Sequence, residues 1–373
     1  MKADIGVFHR KNKNWQRNIT RHEHDEYNFQ KFYDTHRVMN AMRRRVGIGA
    51  KKFYKYSRMP PSYPKVDLYH HWRALDFGST PWIVSTSSGL PFGWPSDRYS
   101  KGLELLASEA CKRIIVTGSC ARDWQCSKAK QEPRFARPIM EKVEVLPPAQ
   151  DLLIPKWEAK PAGQPGPLRL VFVGAGFLRK GGLELLRVVE RLRSEGDEIA
   201  LDVVSSLGSW QGENVTGHTG QARREARRLM REIAKVTWHG RLPNDEVLDI
   251  FKQGHIGLLP SYTETYGYTV LEAQASGCPT ITTDINAFPD INPDKVGWRI
   301  PIDGEDYDFQ SEEGRALISD RLEKGLYRRL KRILEDRSVI REKGKAALAR
   351  IAEEHSPAQH RRRLRAIYDE STS

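Results

Sequence analysis

Two carboxylates, Glu264 and Glu272, lie eight residues apart on either side of Gly267. The residues just before them, 255–259, are short, mostly apolar and followed by Pro-Ser, which predicts a buried strand. The residues after the glycine, 269–276, have helical spacing and are followed by another glycine, which predicts a short helix. Glu264 is therefore predicted to lie in the loop at the carboxyl end of a strand, and Glu272 in the helix that follows.

The predicted position of this loop indicates what it could bind. Open parallel α/β sheets bind ligands at the carboxyl ends of their strands. Backbone N–H groups around Gly267, Tyr268 and Thr269 are expected to face the same crevice, where they suit an anion such as phosphate. A carboxylate can accept hydrogen bonds from sugar hydroxyls, so the combination suits a nucleotide sugar.

A second element with chemical potential is the glycine-rich stretch that contains Gly174, Gly176, Arg179 and Lys180. It follows a predicted strand and precedes a predicted helix, but its spacing is not that of the phosphate-binding loop with a terminal lysine. One interpretation is a tight turn that needs glycine and carries two exposed cations. The other is a phosphate clamp, because cations placed in advance stabilise the charge of a leaving diphosphate without a metal.

The pattern of the whole chain predicts an α/β protein with two doubly wound parallel sheets. The chain has 373 residues, enough for two domains, and a link with six prolines between residues 147 and 167 is the best boundary. Strands are predicted at 5–8, 66–69, 82–85, 113–117, 143–146, 170–173, 200–204, 236–238, 255–259, 280–283 and 296–300. Helices are predicted at 29–45, 100–111, 119–129, 182–193, 223–231, 245–253, 269–276 and over most of 318–368.

The sequence resembles the large family of retaining glycosyltransferases with the GT-B fold (family 4-like, group 1), which includes glycogen and sucrose synthases and many bacterial lipopolysaccharide and mannosyl transferases. The resemblance rests on the family's Glu-x7-Glu element, matched by Glu264 and Glu272 within a longer Pro-Ser-x-x-Glu-x-x-Gly-x-x-x-x-Glu-Ala pattern. It is strong over residues 168–300 and only topological before them.

The resemblance implies two Rossmann-like domains that face a central cleft. The N-terminal, acceptor-side domain would comprise residues 1–155 and be completed by a C-terminal helix at about 355–373. The nucleotide-sugar-binding domain would comprise residues 166–354.

Roles for residues of the second domain follow from the same resemblance. Arg179 and Lys180 match the place where the family clamps the donor's diphosphate, beside Gly174 and Gly176. Glu272 would accept hydrogen bonds from the ribose, and Glu264 would bind a hydroxyl of the transferred sugar. Arg241 would line the pocket of the nucleobase, or alternatively cap the short helix that follows it.

The N-terminal half departs from the family pattern. His70 and His71 resemble the family's Asp-x-x-His-x-His element with one histidine out of place, and either could be catalytic or structural. Ser88, or Ser87, stands where the family has a histidine that contacts the donor sugar. A serine has no ring that titrates near neutral pH, so a general base is not expected at that position.

Composition limits the binding partners and the cellular location expected of the protein. The formal net charge of +13 suits nucleic acid, an anionic membrane or a phosphorylated substrate, and basic runs lie at 43–45 and 51–52. No apolar stretch is long enough to span a bilayer, and the N-terminus shows no signal region. Four scattered cysteines predict no disulfide framework and no zinc site. We therefore expect a cytoplasmic protein. The basic runs predict more specifically that it makes peripheral contact with the inner face of an anionic membrane.

The function implied is the transfer of a sugar from a nucleoside diphosphate sugar to an acceptor hydroxyl, with retention of configuration. The expected partners are the nucleotide sugar and a saccharide or lipid-linked acceptor, with no nucleic acid, no metal and no cofactor. Two alternatives stay open: another GT-B enzyme such as an epimerase, and a basic nucleic-acid-binding protein on an inactive transferase scaffold.

Overall fold

The computed structural model describes residues 2–9, 18–19, 26–33, 57–58, 65–91, 96–160, 166–206, 220–302 and 311–373. Within these, the chain forms two compact units. Unit 1 comprises Met1–Ala149 and His355–Ser373, and unit 2 comprises Gln150–Glu354. Each unit contains a six-stranded parallel sheet, and unit 1 also has a small two-stranded sheet.

The elements of both units are as follows. The strands are β1 (Asp4–His9), β2 (Asn28–Tyr33), β3 (Ser57–Arg58), β4 (Leu68–Trp72), β5 (Leu75–Asp76), β6 (Trp82–Thr86), β7 (Cys111–Val116), β8 (Val143–Val145), β9 (Leu168–Val173), β10 (Ile199–Val204), β11 (Val236–Trp238), β12 (Ile256–Leu259), β13 (Thr280–Thr283) and β14 (Gly297–Ile300). The helices are α1 (Tyr99–Ala107), α2 (Ser119–Lys130), α3 (Pro133–Met140), α4 (Gly182–Ser194), α5 (Gly220–Glu232), α6 (Asn244–Gln253), α7 (Tyr268–Ala275), α8 (Phe288–Ile291), α9 (Glu312–Glu335), α10 (Ser338–Glu354) and α11 (Pro357–Thr372).

The strand order of unit 2 determines where a ligand can enter. The order is β11-β10-β9-β12-β13-β14, so the chain starts in the middle, runs to one edge and then returns to β12 beside β9. All neighbouring strands are parallel. The connections that leave β9 and β12 therefore run towards opposite edges of the sheet. A crevice forms between their carboxyl ends, which is where open α/β sheets bind ligands.

Both faces of the unit 2 sheet are covered by apolar packing. Leu170 and Phe172 of β9 belong to the main core of the unit, whereas Val171 between them packs in a second cluster. Alternate side chains of a strand point to opposite faces, so β9 is buried on both sides, as expected for a parallel sheet between two layers of helices.

A buried lysine fixes two helices of unit 2 in place. Lys160 is 5% exposed. Its ammonium donates to the carbonyl oxygens of Phe251 and Ser276, each at 2.8 Å. These carbonyls lie at the carboxyl-terminal ends of α6 and α7, where helices have unsatisfied acceptors and partial negative charge. One cation thus stabilises the position of α7, the helix that contains Glu272.

Unit 1 has the sheet order β2-β1-β4-β6-β7-β8 and includes the end of the chain. Leu364, Ile367 and Tyr368 of α11 pack in one core with Ile5 of β1 and Leu68 of β4. The last helix is therefore an integral part of this unit.

Most predicted elements are present with small shifts at their ends, but the helix predicted over 29–45 is wrong in its first part. Residues 28–33 form β2, which pairs in parallel with β1 in an unbroken register from Asn28 opposite Asp4. Two phenylalanines and a tyrosine in six residues favour a strand, and sheet pairing overrides the helical spacing. The remainder of that prediction, and the basic runs at 43–45 and 51–52, lie outside the described residues.

Two short helices, α3 and α8, were not predicted. Proline lies at the start of each, and α3 contains a second proline at Pro138. Proline is well tolerated in the first turn of a helix, but a cluster of prolines in so short a segment is typical of a turn.

Candidate active site

The loop after β9 brings a glycine-rich turn against the end of β12. Gly181 has φ of +72°, and a Cβ built on it would lie 2.2 Å from the carbonyl oxygen of Pro260. Only glycine fits both the left-handed backbone and this close approach. The turn is closed by the amide of Lys180, which donates to the carbonyl of Gly176 at 3.1 Å. The sequence thus holds the phosphate-loop candidate directly beside the strand that leads to Glu264.

The loop after β12 is anchored by two buried tyrosines. Tyr262 and Tyr266 are 1% and 3% exposed, and the Tyr262 hydroxyl donates to the buried carboxylate of Glu184 at 2.7 Å. The Tyr262 amide donates to the carbonyl of Arg179 at 3.0 Å. Side chain and backbone thus both fix this loop, the first to α4 and the second to the glycine-rich turn.

At the centre of the site, Lys180 and Glu264 form an ion pair. Their side chains are 9% and 17% exposed. Lys180 extends over Gly174, where a Cβ would come within 2.4 Å of the lysine Cδ. Arg179 lies beside the pair, and its guanidinium donates to the carbonyl of Thr263. The structure therefore brings the two predicted elements into direct contact.

The charge state of Glu264 follows from this contact. Burial alone would raise the pKa of its carboxyl, but the adjacent ammonium of Lys180 and the charge of Arg179 lower it below the ordinary value. Glu264 also accepts from the amide of Thr265 at 3.1 Å, and its carbonyl accepts from the Asn286 side chain at 2.6 Å. The carboxylate is ionised at neutral pH and held in one position. Asn286 was not predicted; its only sequence signal is its place just after a strand.

Glu272 and the start of α7 complete this side of the crevice. Gly267 has φ of +90° and precedes the first turn of α7, where Tyr268 and Thr269 are half-buried. Glu272 lies one turn further along and is 8% exposed. The predicted strand–loop–helix arrangement of the two glutamates is confirmed.

Residues 154–337, most of unit 2, match the family of glycosyl transferases group 1. Unit 2 belongs to this family. A D-inositol 3-phosphate glycosyltransferase from Corynebacterium jeikeium is 30% identical over 155 residues, which is 40% of this chain and 35% of that protein. The chain therefore spans about a third of the length of this relative.

Solved structures extend the likeness to both units. A glycosyltransferase from Rickettsia africae has a TM-score of 0.60 and 12% identity, with 99% of this chain and 98% of that chain covered. The Anabaena protein HepE, solved with UDP and glucose, has a TM-score of 0.60 and 11% identity, with 98% and 99% covered. At these identities the likeness shows the fold alone, and it confirms the predicted GT-B class.

Arg241 of unit 2 is not part of the ion pair between Lys180 and Glu264. It is exposed in the turn after β11, next to Gly240 with φ of +67°. β11 is an edge strand, separated from β9 by β10. A role for Arg241 at the nucleobase stays a prediction.

In unit 1, His70 is enclosed by the core. It is fully buried in β4, and its two ring nitrogens lie 2.8 Å from the Tyr368 hydroxyl and 2.7 Å from the Ser85 hydroxyl. Burial lowers the pKa of the ring to about 3, with smaller contributions from His71 and His360. A neutral ring that links β4, β6 and α11 has a structural role, and we leave His70 out of the reaction proposed below.

This environment predicts a pH dependence of stability. The folded-state pKa of His70 is lowered, so the unfolded chain binds the additional proton between about pH 6.5 and 3. Stability should fall as the pH is lowered through that window, by up to ~1.4 kcal/mol per pH unit from this group. We expect His70→Gln to be less stable than wild type at pH 7 but to have a shallower loss between pH 6 and 4, measured by urea denaturation. Parallel pH profiles for the two proteins would contradict the buried, neutral ring.

His71 and Ser88 have different environments from His70. The Nε2 of His71 lies 2.9 Å from the Asp76 carboxylate, and both residues are buried. Ser88, 8% exposed just after β6, accepts from the Arg73 guanidinium at 2.8 Å. Arg73 follows β4 with φ of +56°. Arg73 was not predicted as a site residue, although it directly follows the strand that contains His70 and His71.

Proposed function

We propose that this chain transfers a sugar from a nucleoside diphosphate sugar to an acceptor hydroxyl, with retention of configuration. The observation that carries the proposal is the contact between Lys180 and Glu264 at the point where the strand order of unit 2 reverses. A cation and a carboxylate held together there suit the two parts of the donor, its diphosphate and its sugar. Membership of unit 2 in glycosyl transferases group 1 supports the same reaction class.

The phosphate side of the reaction would depend on Arg179 and Lys180. As the glycosidic bond breaks, the leaving nucleoside diphosphate gains negative charge. Cations that are already in position stabilise this charge without reorganisation, which is where enzymes obtain much of their rate enhancement. The proposal therefore requires no metal and no cofactor. The amides around Gly267, Tyr268 and Thr269 would add hydrogen-bond donors at the start of α7.

The two glutamates would bind sugars rather than act as a glycosidase-type pair of acid and nucleophile. Glu264, ionised and next to Lys180, would accept from a hydroxyl of the transferred sugar. Glu272 would accept from the ribose. The stereochemical outcome, retention, is taken from the family resemblance of the motif.

Glu272→Gln gives a direct test of the ribose assignment. The variant keeps the size of the side chain but loses its charge, and hydrogen bonds to charged groups contribute about 1.5–3 kcal/mol. We expect binding of the preferred nucleotide among UDP, GDP and ADP to weaken by roughly 10-fold or more. Isothermal titration calorimetry measures this.

Glu246→Gln is the matched control for that experiment. Glu246 is an exposed acid in the first turn of α6 of the same unit, so its replacement makes the same change in net charge. Affinity should be unchanged in the control. Equal affinities for wild type and Glu272→Gln would remove Glu272 from the nucleotide site.

The proposal also covers the acceptor and the place where the reaction occurs. We propose a saccharide or lipid-linked acceptor bound on unit 1, at the cytoplasmic face of an anionic membrane, because the chain has a net charge of +13. In the described part of the chain, no helix is sufficiently long and apolar to cross a bilayer. Arg73 and Ser88 are the residues of unit 1 that we propose to contact a sugar substrate, whereas His71, which is as fully buried as His70, is left out.

The function as a whole is tested with a panel of UDP-, GDP- and ADP-sugars, by measuring donor hydrolysis and nucleotide release. Turnover of at least one donor, lost in variants of the Lys180–Glu264 pair, is the expected result. Interconversion of the sugar without release of nucleotide would indicate an epimerase instead. Binding of polynucleotide with steep salt dependence and no donor turnover would indicate a nucleic-acid-binding protein.

A further inference from the structure

A second charged site lies beside β14, at the edge of the unit 2 sheet opposite β11. A cavity of about 640 Å³ opens between β14 and α9. Five cations line it: Arg321, Lys324, Arg328, Arg329 and Arg332. None of its lining residues belongs to the loops after β9 and β12, and β13 separates β14 from β12.

The shape of the cavity follows from one glycine. Gly325 of α9 lies against Ile300, the last residue of β14, and a Cβ at this position would come within 2.4 Å of the Ile300 side chain. The cations at positions 321, 328 and 332 recur at spacings of seven and four residues, so they share one face of α9 with the glycine. Close packing of helix on strand thus brings these long side chains around a wall made of Trp298, Ile300 and Pro301.

Among the described residues, three of the five cations, Arg328, Arg329 and Arg332, are not paired with a carboxylate. Lys324 pairs with Asp320 on the exposed surface of α9. Two of the three arginines donate to backbone carbonyls instead, Arg328 to Lys324 at 3.2 Å and Arg329 to Arg299. These bonds fix the direction of the guanidinium groups.

Like charges this close repel one another. Half-burial of Arg329, together with the neighbouring charges of Arg328 and Arg332, lowers its pKa, while Asp294 and Asp284 partly oppose the effect. Three arginines within two turns line this cavity, with Arg328 and Arg332 exposed and Arg329 half-buried, and a bound anion would relieve their repulsion.

We propose that this cavity is a second binding site of unit 2, for an organic phosphate. The guanidinium groups suit a phosphate because they offer paired N–H donors in a plane. The wall of Trp298, Ile300 and Pro301 suits a carbon group attached to that phosphate. The phosphate can belong to a soluble phosphorylated metabolite or to a lipid headgroup. The site is independent of the donor crevice.

The experiment uses the full chain and two double variants. Arg328→Gln/Arg332→Gln removes two charges from the cavity. Arg224→Gln/Arg227→Gln, on the exposed face of α5, makes the same change in net charge elsewhere. Binding of glycerol 3-phosphate is measured by calorimetry, and binding to vesicles of phosphatidylglycerol against phosphatidylcholine is measured by sedimentation. To exclude the donor crevice, the calorimetry is repeated with Lys180→Met/Glu264→Gln.

We expect the cavity variant to bind the phosphate probe at least tenfold more weakly than the α5 variant. The variant of the donor crevice should retain this binding, so failure of the proposed transfer reaction and failure of the cavity site give different results. If the cavity variant loses binding only to glycerol 3-phosphate, the site is assigned to a soluble phosphate. If it loses binding only to the vesicles, the site is assigned to a lipid headgroup. Equal binding by the cavity and α5 variants in both assays would overturn the proposal.

Discussion

Replacement of Lys180 by methionine is expected to lower the stability of unit 2 and to reduce sugar transfer by roughly 10²–10³-fold. Two separate effects are involved. The first is the loss of a cation that would face the leaving diphosphate. The second is that Glu264, whose side chain is 17% exposed, loses its ion-pair partner. Breaking a buried pair by removing one member costs about 3–5 kcal/mol, and the residual exposure of Glu264 places this case at the lower end.

A double variant separates the two effects. In Lys180→Met/Glu264→Gln no unpaired charge is left in the loop, so most of the lost stability should return. Turnover should not return, because both the phosphate cation and the sugar-binding carboxylate are absent. Urea denaturation and release of nucleotide from the preferred donor are the two measurements.

Lys156→Met is the control, since Lys156 is an exposed lysine of the same unit. It should change neither quantity. If Lys180→Met kept wild-type turnover while losing stability, the pair would be a structural feature only and the proposed phosphate clamp would be incorrect. Recovery of turnover in the double variant would have the same meaning.

The site in unit 2 was predictable because its chemistry lies in two continuous segments. The glutamates and the glycine-rich turn each follow a buried apolar strand, and two parallel strands place such loops at one edge of a sheet. The direct contact of Lys180 with Glu264 was not predictable. It depends on the close approach of Gly181 to Pro260, which no pattern within either segment contains.

In unit 1 the sequence was less informative, because the decisive contacts join distant parts of the chain. His70 meets Tyr368 across 298 residues, and this contact gives the histidine a structural environment. A histidine in a buried strand has the same local sequence whether its ring contacts a ligand or the core. The same limit applies to β2, where pairing with β1 outweighs a helical pattern of apolar residues.

Substitution of Gly181 by alanine should be the most damaging single-methyl change near the site. Its Cβ would lie 2.2 Å from a backbone carbonyl oxygen, which cannot rotate away as a side chain would. The left-handed backbone at φ of +72° adds about 1–2 kcal/mol for any residue with a Cβ. Relief of the overlap would push the glycine-rich turn away from β12, at a further cost of about 1–3 kcal/mol.

Gly196 makes it possible to measure the two contributions separately. It also has a positive φ, of +93°, but a Cβ there would meet no atom within 4 Å. Gly196→Ala should therefore show the backbone cost alone, about 1–2 kcal/mol by urea denaturation, with unchanged turnover of the preferred donor. Gly181→Ala should lose more stability than this and also turnover, because the turn positions Lys180 against Glu264. Equal losses in the two variants, with turnover retained in both, would mean that the contact between the turn and β12 does not hold the site together.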